Sequence, residues 1–547
     1  MIFVHAIFAS LLRLVFGHLF GGVQIHLADT PPTSATPSFS PQPENSYAGW
    51  GGGIYNNRWA DSHDVTASKL PSLTRVCPGL SYQYGISATP VTVDSTVYYP
   101  TWNGSFYAVD FTTCKVQWSL NVTAIIYSYG PLDPQTLTAC YVVSRTSPQI
   151  DGDILYFGTQ AHALLVAVNR HTGAVLAKTQ LNPHPLAVVT ISPTVYNGVI
   201  LAGTSSYEEP APLYFANYPC CSYIGNTVAL TFSRRTNTFT TKWDVPTLPA
   251  NAGWSGAGVW GSQPAVDPGR NQVFFGTGNV YSFPPAFAHC ANATADCLPP
   301  GVNQEAVIAI DISSGRVNWV RRLTAMDAWN GACITSPIDT ANCPSLPPGS
   351  DADFGMAPSF VPKKTSGLGR DLLVVGQKNG VVYALSPSDG ASVWMRSVRA
   401  DMTVGGGISW GIAVDDKRVY YTLPYSRAGL AFNVSTTVFG ASALGSGSTL
   451  WQTPATLGGN NIALTGPTVA GDLVLFPRTG TITGDGTGRD YMNSRGALVV
   501  LDKRTGAILK EMQLDTNFQG GIAVQGNWLT TGHVSAEKDG VKPYNLS

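Results

Sequence analysis

Nine cysteines are the residues of this chain whose type and spacing most directly constrain chemistry: Cys77, Cys114, Cys140, Cys220, Cys221, Cys290, Cys297, Cys333 and Cys343. None forms a CxxC or CxxCH, the spacings that build a zinc ribbon or attach haem covalently, so neither centre is expected. Cys290 with Cys297, and Cys333 with Cys343, lie in Pro- and Asn-rich loop sequence. A short disulfide there would pin a long insertion in an oxidising compartment, the alternative being buried free thiols. Asn-X-Ser/Thr sequons start at Asn103, Asn121, Asn292, Asn433 and Asn545, about the number that chance gives in a chain rich in Ser and Thr, and do not by themselves indicate secretion.

The elements that must position such residues follow from composition and repetition. The 547 residues carry 32 Lys+Arg against 33 Asp+Glu, a net charge of -1, and only 12% are charged, where about 25% is usual. Nucleic-acid binding is therefore not expected. The 57 Gly and 38 Pro are spread among Val, Thr, Tyr and Trp, the mix of short strands joined by many turns. An apolar run, Ile7 to Leu12 and Leu14 to Phe20, is broken by Arg13 and His18. It reads as a secretory signal over residues 1–28, and stable membrane insertion is not expected because an anchor needs about 20 apolar residues. Residues 29–45 are Pro/Ser/Thr-rich and read as a disordered leader, leaving 46–547 as one folded unit and a secreted, extracellular location.

A phrase recurs along that unit: an apolar pair, Ala-x-Asp or a relative, a Ser/Thr/Gly turn, then Trp. YAVDFTTCKVQW ends at Trp118, IAIDISSGRVNW at Trp319 and YALSPSDGASVW at Trp394, with degenerate copies at 166–177, 228–243, 440–451 and 499–510. The Ala positions (108, 167, 229, 309, 384, 441 and, as Val, 500) are spaced by 59, 62, 80, 75, 57 and 59 residues. Each phrase reads as two outer strands, and each follows a second strand pair such as TPVTVDSTVYYPT. Four strands per unit of about 60 residues make a propeller blade. Seven units are visible, and GGIAVQGNWLTTG (520–532) with LTRVCPGL (73–80) supplies parts of one more. The expectation is an all-β, eight-bladed β-propeller closed by N- and C-terminal strands, with insertions near 205–225, 281–302 and 323–352 crowding one face.

AxDxxTGxxxW repeated in this way resembles the tryptophan-docking repeat of the PQQ-dependent alcohol dehydrogenases, and most closely the polyvinyl alcohol dehydrogenase-like group. The resemblance runs from about 46 to 535 through WGGGIYNNRWA (50–60), SSYEEPA and YPCCSYIGN (205–226), VWGSQPAVDPGRNQVFFGTGNVYS (259–282), DADFG (351–355), QKNGVVYAL (377–385) and GGGISWGIAVDDKRVYY (405–421). It implies pyrroloquinoline quinone (PQQ) and Ca²⁺ on the propeller axis. It implies Glu208, Asn279 and Asp353 as calcium ligands, a hard-oxygen set that suits Ca²⁺ and not zinc, with Asp353 also the catalytic base. PQQ carries three carboxylates, and the family's cofactor-binding Arg and Lys fall at Arg145 and Lys378, a two-pronged guanidinium and an ammonium for the quinone oxygens. Thr190 and Ser205 match hydroxyl contacts, and Trp260 and Trp410 are candidate ring neighbours.

The chain departs from the pattern at Ser87, where the family has a Glu, at Ser409, where it has an Asn, and at Ala139 and Cys140, where it has a cysteine pair. An adjacent pair stands instead at Cys220 and Cys221, either bonded to each other or each bridged elsewhere. Two functions are expected in competition. One is oxidation of a primary or secondary alcohol, with Asp353 taking the proton and electrons leaving to an external acceptor. The other is a cofactor-free propeller acting as an extracellular binding or scaffold module.

Overall fold

The computed structural model describes residues 23–27, 46–60, 62, 64–77, 85–291, 293, 296–335, 337–398, 408, 410–426, 434–455, 461–481, 495–514, 517–532 and 544–546. Seven antiparallel four-strand meanders follow one another along the chain. The first is Val91–Val93, Thr96–Pro100, Ser105–Asp110 and Lys115–Asn121; the second Gln149–Asp151, Ile154–Gly158, Leu164–Asn169 and Val175–Gln180. The third is Thr194–Tyr196, Val199–Gly203, Asn226–Ser233 and Thr238–Pro246; the fourth Ala265–Asp267, Gln272–Gly276, Ala306–Asp311 and Val317–Arg322. The fifth is Ser359–Val361, Leu372–Gly376, Val381–Leu385 and Ser392–Ser397; the sixth Ala413–Val414, Arg418–Ser426, Val434–Ala443 and Thr449–Pro454. The seventh is Thr468–Ala470, Leu473–Arg478, Ala497–Asp502 and Ile508–Gln513. In each blade the two central strands are nearly continuous runs of buried Val, Ile, Leu, Phe and Tyr, as expected of sheets covered on both faces.

The recurring phrase is the device that holds blade to blade. Its Ala or Val position carries a bulge in all seven outer strand pairs, and in five of them the residue facing it is the phrase's Trp. Each indole then donates to a carbonyl in the next blade's outer turn: Trp118 to Arg170, Trp243 to Ile312, Trp319 to Pro387, Trp394 to Leu444 and Trp451 to Lys503, at 2.8 to 3.3 Å. The ring lies on that turn's glycine. A Cβ on Gly390, whose φ is +70°, would stand 2.6 Å from Trp319, so close approach and backbone conformation both require glycine.

The ends of the chain meet in one sheet, as expected, but not as an eighth meander. Ile522–Gln525 and Trp528–Thr531 form a hairpin whose outer neighbours are Val23–Leu27, Leu73–Arg75 and Tyr544–Leu546, pairing partly parallel and partly antiparallel. The expectation of eight blades is therefore corrected to seven regular ones, with a mixed terminal sheet between the first and the last. Its seams are built differently: Trp528 packs on Phe111 of the first blade, ring centres 4.6 Å apart. Lys510 stands at the seventh blade's Trp position and donates to the Leu70 carbonyl at 2.7 Å. A Cys77–Cys114 disulfide ties the N-terminal segment to the first blade's outer turn. Val23–Leu27 is the described part of the expected signal segment; the expected leader, 29–45, and Ser409 lie outside the described residues.

Residues 46–60 line the axis. Carbonyls of Ile54, Tyr55, Asn57 and Arg58 accept in turn from Val266, Phe360, Val414 and Val469, on the innermost strands of blades four to seven. Arg58, buried, anchors this strap through Trp50 O, Thr89 Oγ1, Pro467 O and Thr468 Oγ1.

Candidate active site

In an antiparallel blade, the loop entering the innermost strand and the loop leaving the second strand lie at the same end. Arg145, Thr190, Trp260, Asp351, Asp353 and Trp410 sit on entering loops, and Ser205, Glu208, Glu209, Asn279 and Lys378 on leaving loops. The repeat thus gathers them at one end of the axis. The insertions meet there too: Gly331 N donates to Glu209 O at 2.8 Å, and Asn330 Nδ2 contacts Cys220 Sγ at 3.3 Å.

One wall is acidic. Carboxylate oxygens of Glu209, Asp351 and Asp353 lie within 4.8 Å of one another. Lys378 Nζ reaches Asp351 Oδ1 at 2.5 Å and Asp353 Oδ2 at 2.7 Å, 5.1 Å from the centre of the Trp260 ring. Burial opposes the charge on Lys378, but Asp351, Asp353 and Glu209 outweigh it and hold the ammonium above its ordinary range. Desolvation, reinforced by Asp353 and Asp351, pushes the Glu209 carboxyl well up, and Glu209 Oε1 is enclosed without a hydrogen bond. Asp351 is raised chiefly by burial as well. Asp353 Oδ1 accepts the Asn279 N–H at 2.7 Å, and the Asn279 side-chain amide donates to Trp329 O at 2.7 Å and Val280 O at 3.2 Å. Behind them, desolvation raises Asp327 to about 6 and Glu305 well above the carboxylate range. An enclosed carboxylate oxygen with no partner, beside two more carboxylates, fits a hard cation.

Glu208 faces the other way. Its two oxygens accept from Ser222 N at 2.9 Å, Tyr223 N at 2.7 Å and Tyr218 Oη at 3.1 Å, and His184 Nε2 lies 3.5 Å away. Burial opposes its ionisation, yet His184 and these N–H donors hold the carboxyl below its ordinary value. Glu208 therefore anchors the loop carrying Cys220 and Cys221, which are bonded to each other, and Glu209 is the residue brought to Asp353. Sequence reasoning passed over Glu209 and Asp351, although each lies within two residues of a chosen ligand.

The same end of the axis also carries donors and rings. Half-buried Arg145 makes no hydrogen bond or ion pair among the described residues, and desolvation lowers its guanidinium against the pull of Tyr207 and Tyr141. Thr190 Oγ1 and Trp410 Nε1 are enclosed without partners. Trp260, Trp410, Tyr141 and Tyr207 share one apolar cluster, which Cys140, a buried free thiol raised by desolvation, also joins. Ser205 pairs through its backbone with Val188, and Ser87 Oγ accepts from Trp102 Nε1 at 2.7 Å. Orphaned donors around an unpaired guanidinium fit a ligand bearing carboxylates and carbonyls, and so fit PQQ.

A protein named polyvinylalcohol dehydrogenase from Sphingopyxis sp. (strain 113P3) is 28% identical over 431 residues, 75% of this chain and 59% of that protein. One of the same name from Pseudomonas sp is 29% identical over 389 residues, 69% and 54% of the two chains. The chain is homologous to these polyvinylalcohol dehydrogenases. It spans between half and three-fifths of their length. A family model described as outer membrane protein assembly factor BamB matches residues 81–212. Among solved structures, a europium-containing methanol dehydrogenase superposes with a TM-score of 0.59 at 15% identity, covering 87% of each chain. The quinohemoprotein alcohol dehydrogenase of Comamonas testosteroni gives 0.59 at 16%, covering 90% of this chain and 80% of that one. These two likenesses establish the propeller fold.

Proposed function

We propose that the chain is a quinoprotein-type alcohol dehydrogenase that binds PQQ and a hard cation such as Ca²⁺ and passes electrons to an external acceptor. The observation that carries this reading is what the repeat gathers at one axis end: three clustered carboxylates, an unpaired guanidinium and orphaned donors. Glu209, Asp353 and Asp351 would hold the cation, with the Asn279 amide oxygen, which accepts no hydrogen bond among the described residues, as a neutral ligand. Arg145, Thr190 and Ser205 would hold the cofactor's carboxylates and carbonyls, and Trp260 and Trp410 its ring. When bound, PQQ supplies a two-electron acceptor for the hydride of the alcohol carbon.

Asp353 takes the hydroxyl proton of the alcohol, as its Oδ2 exchanges the Lys378 ammonium for the substrate O–H. Lys378, kept charged by its acidic neighbours, stabilises negative charge developing beside it. The buried indoles and Tyr207 keep water from the reacting carbon. The alcohol would leave as aldehyde or ketone, its proton on Asp353 and its hydride taken up by PQQ when that is bound. The substrate is a primary or secondary alcohol; the homologues' name makes a polymeric one the first to test. Four disulfides among the described residues suit maturation in an oxidising compartment, and hence secretion. Among the described residues, no helix is long and apolar enough to cross a membrane.

The test is to add PQQ and Ca²⁺ to purified protein and read three quantities: a quinone absorbance band, dye-linked alcohol oxidation and thermal stabilisation. All three are expected. No band and no stabilisation at saturating cofactor would leave the binding-module reading in possession, because a ligand that binds the native state must raise its stability.

A further inference from the structure

Beside Arg145, two short segments are zipped together by their backbones. Gln160 N donates to Val143 O at 2.9 Å and Ala161 N to Tyr141 O at 3.1 Å. This pairing places the side chains of Tyr141 and Gln160 next to the loop that carries Arg145. Tyr207 stands over them, its ring 5.8 Å from that of Tyr141, and its hydroxyl donates to Gln160 Oε1 at 2.5 Å. With Oε1 taken, Gln160 presents its Nε2 hydrogens, and Nε2 is enclosed without a partner. Tyr141 Oη is likewise enclosed and unpartnered, with the residue 8% exposed and Gln160 0%. Burial keeps the Tyr141 phenol protonated far above neutral pH, so it too is a donor. The neighbourhood therefore offers a guanidinium, an O–H and an amide N–H₂, each with a hydrogen that no described residue accepts. Buried donors left unpaired in a native protein are rare.

We propose that Tyr141 and Gln160 complete, with Arg145, a donor-lined recess that grips a carboxylate of the ligand held at this site. The inference rests on the quinone reading for the identity of the ligand, but not for the chemistry of the group gripped. Arg145 supplies charge; Tyr141 and Gln160 fix which carboxylate enters and at what angle, and act as positioning residues.

Titration with PQQ, followed by tryptophan fluorescence and calorimetry, is run on the parent chain, Tyr141→Phe and Gln160→Leu. Pyridine-2,4-dicarboxylate, which has carboxylates but no quinone, and the trimethyl ester of PQQ are titrated beside it. Each variant is expected to weaken PQQ and the dicarboxylate by about tenfold or more, to leave the ester's already poor binding unchanged, and to melt with the parent when unliganded. If the parent binds PQQ and neither variant weakens it, the recess is refuted while the quinone reading stands. If the parent binds only the dicarboxylate, and the variants weaken that, the recess stands and the quinone reading falls. Binding of neither carboxylate probe to the parent refutes both.

Discussion

Replacing Glu209 by Gln, and separately Glu208 by Gln, tests the orientation of two adjacent acids against each other. Within 4.8 Å of one another, the carboxylates of Glu209, Asp351 and Asp353 repel by about 3.5 kcal/mol per ionised pair at an effective dielectric of about 20. Lys378 neutralises part of this, and the remainder is relieved in the empty site by a proton on Glu209, whose carboxyl is held well above its ordinary range by burial and by the two aspartates. A cation must displace that proton. Affinity for Ca²⁺ is thus expected to strengthen as pH rises, with a proton released on binding. Glu209→Gln removes the charge and the titration together. Its affinity should fall by about two to three decades, the equivalent of one such repelling pair, its pH dependence should flatten, and its unliganded melting temperature should be unchanged or higher.

Glu208→Gln is expected to do the reverse. The carboxylate that accepts from Ser222 N and Tyr223 N loses charge-assisted bonds, a loss of about 2 to 3 kcal/mol in stability, with Ca²⁺ affinity little changed. Calorimetry in two buffers of different ionisation enthalpy reads affinity and proton release; thermal melts with and without Ca²⁺ read stability. Cation stabilisation lost in Glu208→Gln and intact in Glu209→Gln would refute the reasoning and return the ligand role to Glu208.

Three further outcomes are expected. Asp327, raised to about 6 by burial, keeps its proton in the folded chain after the unfolded chain has lost it. Stability should fall as pH rises from about 4 to 6, by about 3 kcal/mol, and Asp327→Asn should remove that slope from the denaturation profile. Gly390→Ala puts a methyl 2.6 Å from Trp319 at a φ of +70°, for an expected loss of about 2 to 4 kcal/mol in urea unfolding. Gly367→Ala, with a similar φ of +68° and nothing within 4 Å, should lose only the backbone part, about 1 kcal/mol, so equal losses would refute the docking argument. Peptide mapping without reduction should give the bridges Cys77–Cys114, Cys220–Cys221, Cys290–Cys297 and Cys333–Cys343, with Cys140 alkylated only after unfolding.

Much of the architecture was legible because the docking device writes itself into the sequence. A small residue at the bulge, in five blades a Trp opposite, and a glycine in the next turn recur at intervals of 57 to 80 residues, so seven blades could be placed from the sequence. The seams without that device were not legible. Ala177 holds the second blade's Trp position, and Lys510 the seventh's. The terminal sheet pairs strands distant in sequence, for which no local pattern exists. At the site, the entering and leaving loops could be located, but not the direction of a side chain. Glu208 and Glu209 are consecutive residues of one turn whose side chains diverge, Glu208 to Ser222 and Tyr223 and Glu209 to Asp351 and Asp353, so a one-residue choice decides between a loop anchor and a cation ligand. Tyr141 and Gln160 lie among apolar residues and read as core; only the absence of a partner marks them.

The acids and the donors also depend on each other electrostatically. A tricarboxylate approaching this axis end meets Arg145 and the donors beside it, but also Glu209, Asp351 and Asp353, and Lys378 is already committed to two of them. With those acids uncompensated, attraction is offset by repulsion. A divalent cation held by the acids would offset the charge that Lys378 leaves uncompensated and lift that repulsion. Cation and organic anion should then each raise the other's affinity by one common factor, since coupling between two binding equilibria is reciprocal. The buried rings of Trp260 and Trp410 keep the local dielectric low, which strengthens the coupling.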